Sequence, residues 1–342
     1  MKLATPTAPF VRTTRTVRWI MGMVLLTLLP AAIVYCINFG WGLVVQFALA
    51  ALSGLVFEAL ALTLRKRALQ PALSDGSTLV TAALLAFSMP PLAPWWLIVS
   101  AMAFAILLAK HLYGGLGMNP FNPAMVGYAV LLVSFPAAMT QWLPAASIST
   151  VQIDFLQTLL SILNGHLPAS LDVNLLSTAS PLAALHSGLA LRHTMDEVLA
   201  TPTFGNIAGA GWEWVSLCWL LGGLMMLALR LIRWHIPVAM LTATALCALV
   251  MNTSNPGQYA GVLFHLFSGA TMIGAFYIAT DPVTAPGSPR GRLYYGAGIG
   301  VLTYVIRSFG HYHDGLAFAV LIMNMLTPLL DKLTIPRIYG EA

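Results

Sequence analysis

Ten apolar stretches, separated by short polar or basic connectors, constrain this 342-residue chain more than any other feature. They fall at about 19–38, 41–64, 78–90, 93–109, 122–136, 213–232, 236–252, 260–280, 293–307 and 315–330. Only 8% of the residues are charged and 58% are hydrophobic, whereas a soluble domain carries roughly a quarter charged residues. Lipid is therefore the main solvent, and in lipid each segment must satisfy its own backbone hydrogen bonds. The expectation is an all-α integral membrane protein of about ten transmembrane helices. Several stretches fall short of the ~20 residues that a full crossing needs. Those are expected to be tilted, broken or packed among neighbours.

The basic residues orient these helices. The run from Ile20 to Ile37 is long for a signal-peptide core and no small-x-small site follows it, so it reads as a retained first helix. With the N-terminus in the cytoplasm, Lys2, Arg12, Arg15, Arg18, Arg65, Lys66, Arg67, Lys110, Arg230, Arg233, Arg290, Arg292, Lys332 and Arg337 all fall inside. Of the 16 Lys and Arg residues, only Arg192 and Arg307 fall outside. Both termini are then cytoplasmic. The chain divides into a first five-helix half (1–136), a periplasmic loop (137–212) and a second five-helix half (213–342). An odd number of helices per half gives the halves opposite orientations, the arithmetic of two inverted repeats. Short basic clusters between spans are a topology signal, so lipid is expected as a partner and nucleic acid is not. Cys36, Cys218 and Cys247 lie far apart in apolar runs and read as packing residues. No metal-ligand spacing is present, and a four-cysteine iron–sulfur cluster is excluded.

Polar residues stand out against this background. Gly114-Gly115-Leu116-Gly117-Met118-Asn119-Pro120-Phe121-Asn122-Pro123-Ala124 lies on the cytoplasmic side. Its glycines allow close backbone approach, and Asn119 and Asn122 each offer a donor and an acceptor. A ligand loop and a plain turn into a helix fit it equally well. Asparagine amides suit the edge of a neutral heterocycle better than a phosphate. Thr280-Asp281-Pro282-Val283-Thr284 closes a span on the same side, where an Asp-Pro turn is the simpler account. Ser74-Asp75-Gly76-Ser77-Thr78 reads as a helix start with an acid at its positive end. Glu58 is the clearest acid within an apolar run and a candidate for an ion path. It lies two turns from Arg65, so an interfacial position competes with that role. Ser268-Gly269-Ala270-Thr271 reads as a small-residue helix-packing site, and His311, His313 and Asp314 as a solvated turn. The long central segment holds the hydroxyl-rich Ser177-Thr178-Ala179-Ser180-Pro181-Leu182 and an apolar run, Val151 to Leu163, expected to be a packed or interfacial helix.

The Gly114–Ala124 segment, Ser268–Pro286, and Arg307-Ser308-Phe309-Gly310 followed by Asp314-Gly315 resemble the RnfD family, membrane components of the Rnf electron-transport complex. The related NqrB component of the sodium-pumping NADH:quinone oxidoreductase shares the pattern. The Arg230–Pro237 and Gly209–Trp214 stretches add to the resemblance, which runs from about Arg18 to Gly340. It implies a bacterial inner-membrane subunit of an ion-translocating oxidoreductase, coupling electron transfer between ferredoxin and NAD to Na+ or H+ movement. This chain would serve mainly as an electron carrier. Its partners would be the other Rnf subunits, among them iron–sulfur and flavin-carrying ones, and a flavin transferase.

The resemblance also implies FMN joined through its phosphate to a hydroxyl in the periplasmic loop. The family's acceptor pattern, Asp-Gly-x-Ser/Thr-x-Ala-Thr, falls here on Asn174-Leu175-Leu176-Ser177-Thr178-Ala179-Ser180. Ser180 is then the attachment residue, with Ser177 and Thr178 beside the cofactor. Asn174 stands where the family has Asp, and Leu175 where it has Gly. FMN held without a bond and an inert loop are the alternatives. A second flavin, riboflavin, would lie on the cytoplasmic side against Gly114, Gly115, Asn119, Asn122 and Asp281. A channel or transporter for a small polar solute is the competing class, because inverted repeats with polar midplane residues serve that purpose too.

Overall fold

The computed structural model describes residues 15–149, 153–165, 178–310, 312 and 314–334. Asn174, Leu175, Leu176, Ser177, His311 and His313 lie outside the described residues. Among those described there is no strand, only two isolated bridges, Trp142–Thr178 and Phe204–Gly209. The first half comprises α1 (Val17–Phe39), α2 (Gly42–Leu64), α3 (Leu69–Leu73), α4 (Ser77–Ser88), α5 (Trp95–Ala103, running on as a π-helical Phe104–His111) and α6 (Pro123–Ser134). The central segment holds α7 (Pro136–Met139), α8 (Phe155–Asn164), α9 (Pro181–Ala190) and α10 (Met195–Leu199). The second half comprises α11 (Trp212–Ala228), α12 (His235–Ser254), α13 (Val262–Phe267), α14 (Thr271–Ile273, running on as a π-helical Gly274–Ile278), α15 (Pro289–Phe309) and α16 (Leu316–Thr334).

Helix covers every apolar stretch, and α1, α2, α12 and α16 are long and apolar enough to cross a bilayer. Their outward faces keep large aliphatic side chains exposed, Leu29, Ile33, Leu52 and Leu246 among them, as a lipid solvent allows. The stretch at 260–280 departs from the sequence expectation. It is two helical pieces separated at Ser268–Ala270, because Gly269 takes φ +60°, a left-handed conformation that a side-chain-bearing residue resists. The Thr271 hydroxyl donates to the His265 carbonyl at 2.9 Å, satisfying an acceptor freed by the break. A similar break precedes α4, where Gly76 takes φ +80° and Asp75 Oδ1 accepts from the Ser77 backbone at 2.7 Å.

Small residues set the closest helix approach. On α15, a Cβ added at Gly296 would come 2.7 Å from the Ile236 carbonyl, and one at Gly300 would come 3.0 Å from Ala243 Cβ. Only glycine lets the backbones of α12 and α15 approach this closely. Between the halves, Tyr35, Phe39, Phe87, Trp212 and Trp219 form a continuous aromatic cluster, with Phe39 and Trp212 centroids 4.6 Å apart.

Candidate functional site

Ser180 begins α9. Its Oγ accepts from the Ala183 backbone at 3.3 Å, and Pro181 occupies the first helical turn, where no N–H is needed. Thr178, two residues before Ser180, is tied to Trp142: its N–H donates to the Trp142 carbonyl at 2.8 Å and its hydroxyl reaches the same oxygen at 3.3 Å. On the far side, Leu182 and Leu185 pack with Met195, Val198, Phe204 and Phe264, which fastens α9 to α13. Gly209 lets Pro181 lie against its backbone, since a Cβ there would come 2.7 Å from Pro181 Cβ. Ser180 is thus held at three points.

Ser180 opens onto a cavity of about 480 Å³ lined by Phe87, Tyr128, Trp142, Trp212, Trp219 and Asp314, among others. Trp142 and Trp212 meet edge-on at 5.3 Å, and Phe87 meets Trp219 at 5.6 Å. The volume lies within the roughly 300–1,000 Å³ of small-molecule sites. Flat aromatic walls with the Ser180 hydroxyl among the lining groups suit a planar conjugated ring system attached through a short tether. These residues fit FMN. An ester formed through Oγ would cost the hydroxyl proton and not the acceptor role toward Ala183, so attachment there would be compatible with the helix cap.

Asn119, Asn122 and Asp281 meet at a second, smaller cavity of about 120 Å³, although 156 residues separate Asn122 from its partner Ile278. Asn122 is committed at both ends of its amide. Oδ1 accepts from Met125 N at 3.3 Å, capping α6, and Nδ2 donates to the Ile278 carbonyl at 3.3 Å. Asn119 donates to the Phe121 carbonyl at 3.1 Å, while its buried Oδ1 has no hydrogen-bond partner. That oxygen is the free polar group of the site. Asp281 is half-buried, and burial pushes its carboxyl above the ordinary range. Gly114 and Gly115 are not at this cavity. They line an adjacent open vestibule of about 580 Å³ with Glu58, Arg67, Asp75 and His111.

Glu58 faces that vestibule and is buried, at 1% exposure. It pairs with Lys110 Nζ at 2.5 Å, accepts from the Thr78 hydroxyl, and has His111 Nε2 at 3.5 Å. Lys110 also reaches Ser77 Oγ at 2.8 Å and Thr78 Oγ1 at 3.1 Å. Arg65 instead donates to the His111 carbonyl at 3.0 Å, so it is no partner of Glu58. Lys110 lines the Asn119 cavity while Glu58 lines the vestibule, and the pair therefore stands between the two spaces.

Sequence reading missed Lys110 and His111 here, because both look like connector residues at the end of a span. It missed Arg307 for the same reason. This residue is 1% exposed and buried, not an outer-loop charge, and it holds Asp314 at 3.2 Å, so Asp314 is not in a solvated turn. The signal that could have found them is an unpaired cation within a turn of an apolar run, with an acid on another run or in the following connector. Ser177 lies outside the described residues.

The chain matches the model of the NQR2, RnfD, RnfE family over residues 4–340. Proteins from Salmonella arizonae, Salmonella typhi and Salmonella typhimurium, each named as the D component of an ion-translocating oxidoreductase complex, are 48% identical to it, over 98% of this chain and 97% of theirs. Together with its apolar helices this makes it a multi-pass membrane protein. By both measures the chain belongs to the NQR2, RnfD, RnfE family.

Proposed function

We propose that this chain is the flavin-carrying membrane subunit of an Rnf-type complex that couples electron transfer between ferredoxin and NAD to movement of Na+ or H+. The observation that carries the reading is Ser180, pinned at a helix start on the rim of a 480 Å³ aromatic cavity. FMN is the proposed occupant, esterified to Ser180 Oγ by a flavin transferase. When bound it supplies one- or two-electron redox chemistry. The chain's own residues do the rest: Thr178 and Trp142 fix the attachment segment, Ser180 and Ala183 set the tether, and the tryptophans shield the ring from water.

Ten crossings, cytoplasmic termini and a periplasmic 137–212 segment complete the proposal, with iron–sulfur and flavin-carrying Rnf subunits as partners. The matched breaks at Gly76 and Gly269, one in each five-helix half, support two inverted repeats. The Lys110–Glu58 pair is the proposed ion-path element, because it separates two spaces. Riboflavin at the Asn119 cavity requires its walls to part, since about 120 Å³ falls below the usual range for a ligand site.

The test is in-gel flavin fluorescence of the full chain co-expressed with a flavin transferase. The wild-type chain is expected to give a band that survives denaturation, and Ser180→Ala to lose it. A band persisting in Ser180→Ala would move the tether elsewhere. No flavin at all in the assembled complex would favour a solute channel or transporter built on the same broken helices.

A further inference from the structure

Arg307, 1% exposed, is a buried cation close to the Ser180 cavity. Its guanidinium binds three segments at once: Nη1 donates to the His265 carbonyl at 2.9 Å, and Nη2 donates to Thr271 Oγ1 at 3.0 Å and to Asp314 Oδ1 at 3.2 Å. The second Asp314 oxygen accepts from the Ala270 backbone at 2.6 Å. His186, on the helix that Ser180 begins, contacts the Arg307 carbonyl through Nε2 at 2.5 Å. Asp314, Gly269, Ala270 and Ser180 all line one cavity. A carboxylate at its wall is therefore held in one position by a buried charge.

The same device occurs around the Asn119 cavity. Two residues beyond Gly76, Thr78 accepts from Lys110 at 3.1 Å; two residues beyond Gly269, Thr271 accepts from Arg307 at 3.0 Å. Both cations sit near the C-terminal end of the next long helical run. The carboxylates differ in origin, Glu58 coming from an earlier helix and Asp314 from the connector that follows. In the first half the acid stands between the cavity and the open vestibule, whereas in the second it lines the cavity itself.

We propose that Asp314 sets the reduction potential of the flavin tethered at Ser180, with Arg307 as the positioning residue that fixes the carboxylate against it; this rests on the flavin reading above. Two-electron reduction with uptake of one proton adds one negative charge to the ring. A fixed carboxylate on the same apolar wall opposes that charge, and weak screening by water makes the effect large. Arg307 offsets part of it. Removing the carboxylate leaves the cation uncompensated and favours the reduced ring. A pair that merely held the connector in place would alter stability and leave the potential where it was.

The experiment is a dithionite titration of the full chain, co-expressed with a flavin transferase and purified in detergent, with flavin absorbance followed against potential. In Asp314→Asn the reduced-to-oxidised ratio at the wild-type midpoint should rise about tenfold, which is ~30 mV upward for a two-electron couple. Arg307→Lys keeps a buried charge but replaces the planar fork, whose Nη1 and Nη2 serve separate partners, with a single shorter ammonium, which loosens the hold on the carboxylate. It should lower the ratio at least about threefold and provides the reading should the Asn variant not assemble. In-gel fluorescence separates the two ideas. Variants that carry tethered FMN at the wild-type midpoint overturn the role of Asp314 and leave the tether standing. A wild-type chain without FMN overturns both.

Discussion

The buried pair of Lys110 and Glu58 yields the most demanding prediction. Lys110→Met keeps the length of the side chain and removes its charge. Glu58 then loses a 2.5 Å charged hydrogen bond and keeps only the Thr78 hydroxyl and His111 at 3.5 Å, in a site where it is 1% exposed. Removing one partner of a buried pair typically costs about 3–5 kcal/mol, because the other charge is left without compensation. Ser77 and Thr78 do not replace it, since hydroxyl groups carry no net charge. Exchanging both members, Lys110→Met with Glu58→Gln, removes both desolvation penalties and should cost less than Lys110→Met alone, within about 1 kcal/mol of wild type. Equilibrium unfolding in mixed micelles gives the three free energies for a double-mutant cycle. Two single costs below about 1 kcal/mol, or a double cost equal to their sum, would refute a buried coupled pair. The same Glu58→Gln protein in vesicles reports on the ion path: transport at the wild-type rate removes Glu58 from it.

Two further perturbations test the architecture. Gly300→Leu forces a side chain into the contact of α15 with α12 and should cost about 1–3 kcal/mol or more, read as a lower unfolding midpoint; wild-type stability would mean that the two backbones are not in contact. Asp281 is held above the ordinary carboxylate range by burial, so its penalty is absent below the unfolded value of about 4 and grows as pH rises through the displaced one. Asp281→Asn should therefore unfold at a higher temperature than wild type near pH 8 and at an equal temperature near pH 4, and an advantage unchanged between these conditions would contradict burial as the cause.

Much of the helical layout was legible in the chain, because lipid permits few backbone arrangements and marks each one with a long apolar run. The helix over 155–164 follows from local chemistry, a capping box of Asp154 and Gln157, and so do the helix starts at Asn122 and Ser180, each a capping side chain followed by a proline. Asn119 and Asn122 stand in one motif and Asp281 in another, and tertiary packing brings them to one cavity. The helix break at Ser268–Ala270 was not legible: small residues serve a close crossing or a left-handed turn, and only the neighbours decide between them.

The sequence by itself determined the solvent, the helices and the hydroxyl at Ser180, since these depend on hydropathy and on contacts within a few residues. Only the tertiary structure decided which charges are buried and whom they meet. Arg307 and Lys110 lie at the ends of apolar runs, where a cation can reach water or turn inward with equal local cost. Turning inward requires an acid and hydroxyls outside the cation's own helix: Asp314 from the connector that follows and Thr271 from an earlier segment for one, Glu58, Ser77 and Thr78 for the other. The aromatic walls of the Ser180 cavity likewise come from α4, α6, α11 and the central segment. Partners brought in by packing satisfy a buried charge or enclose a ligand, and most of them lie too far along the chain for a local pattern to specify.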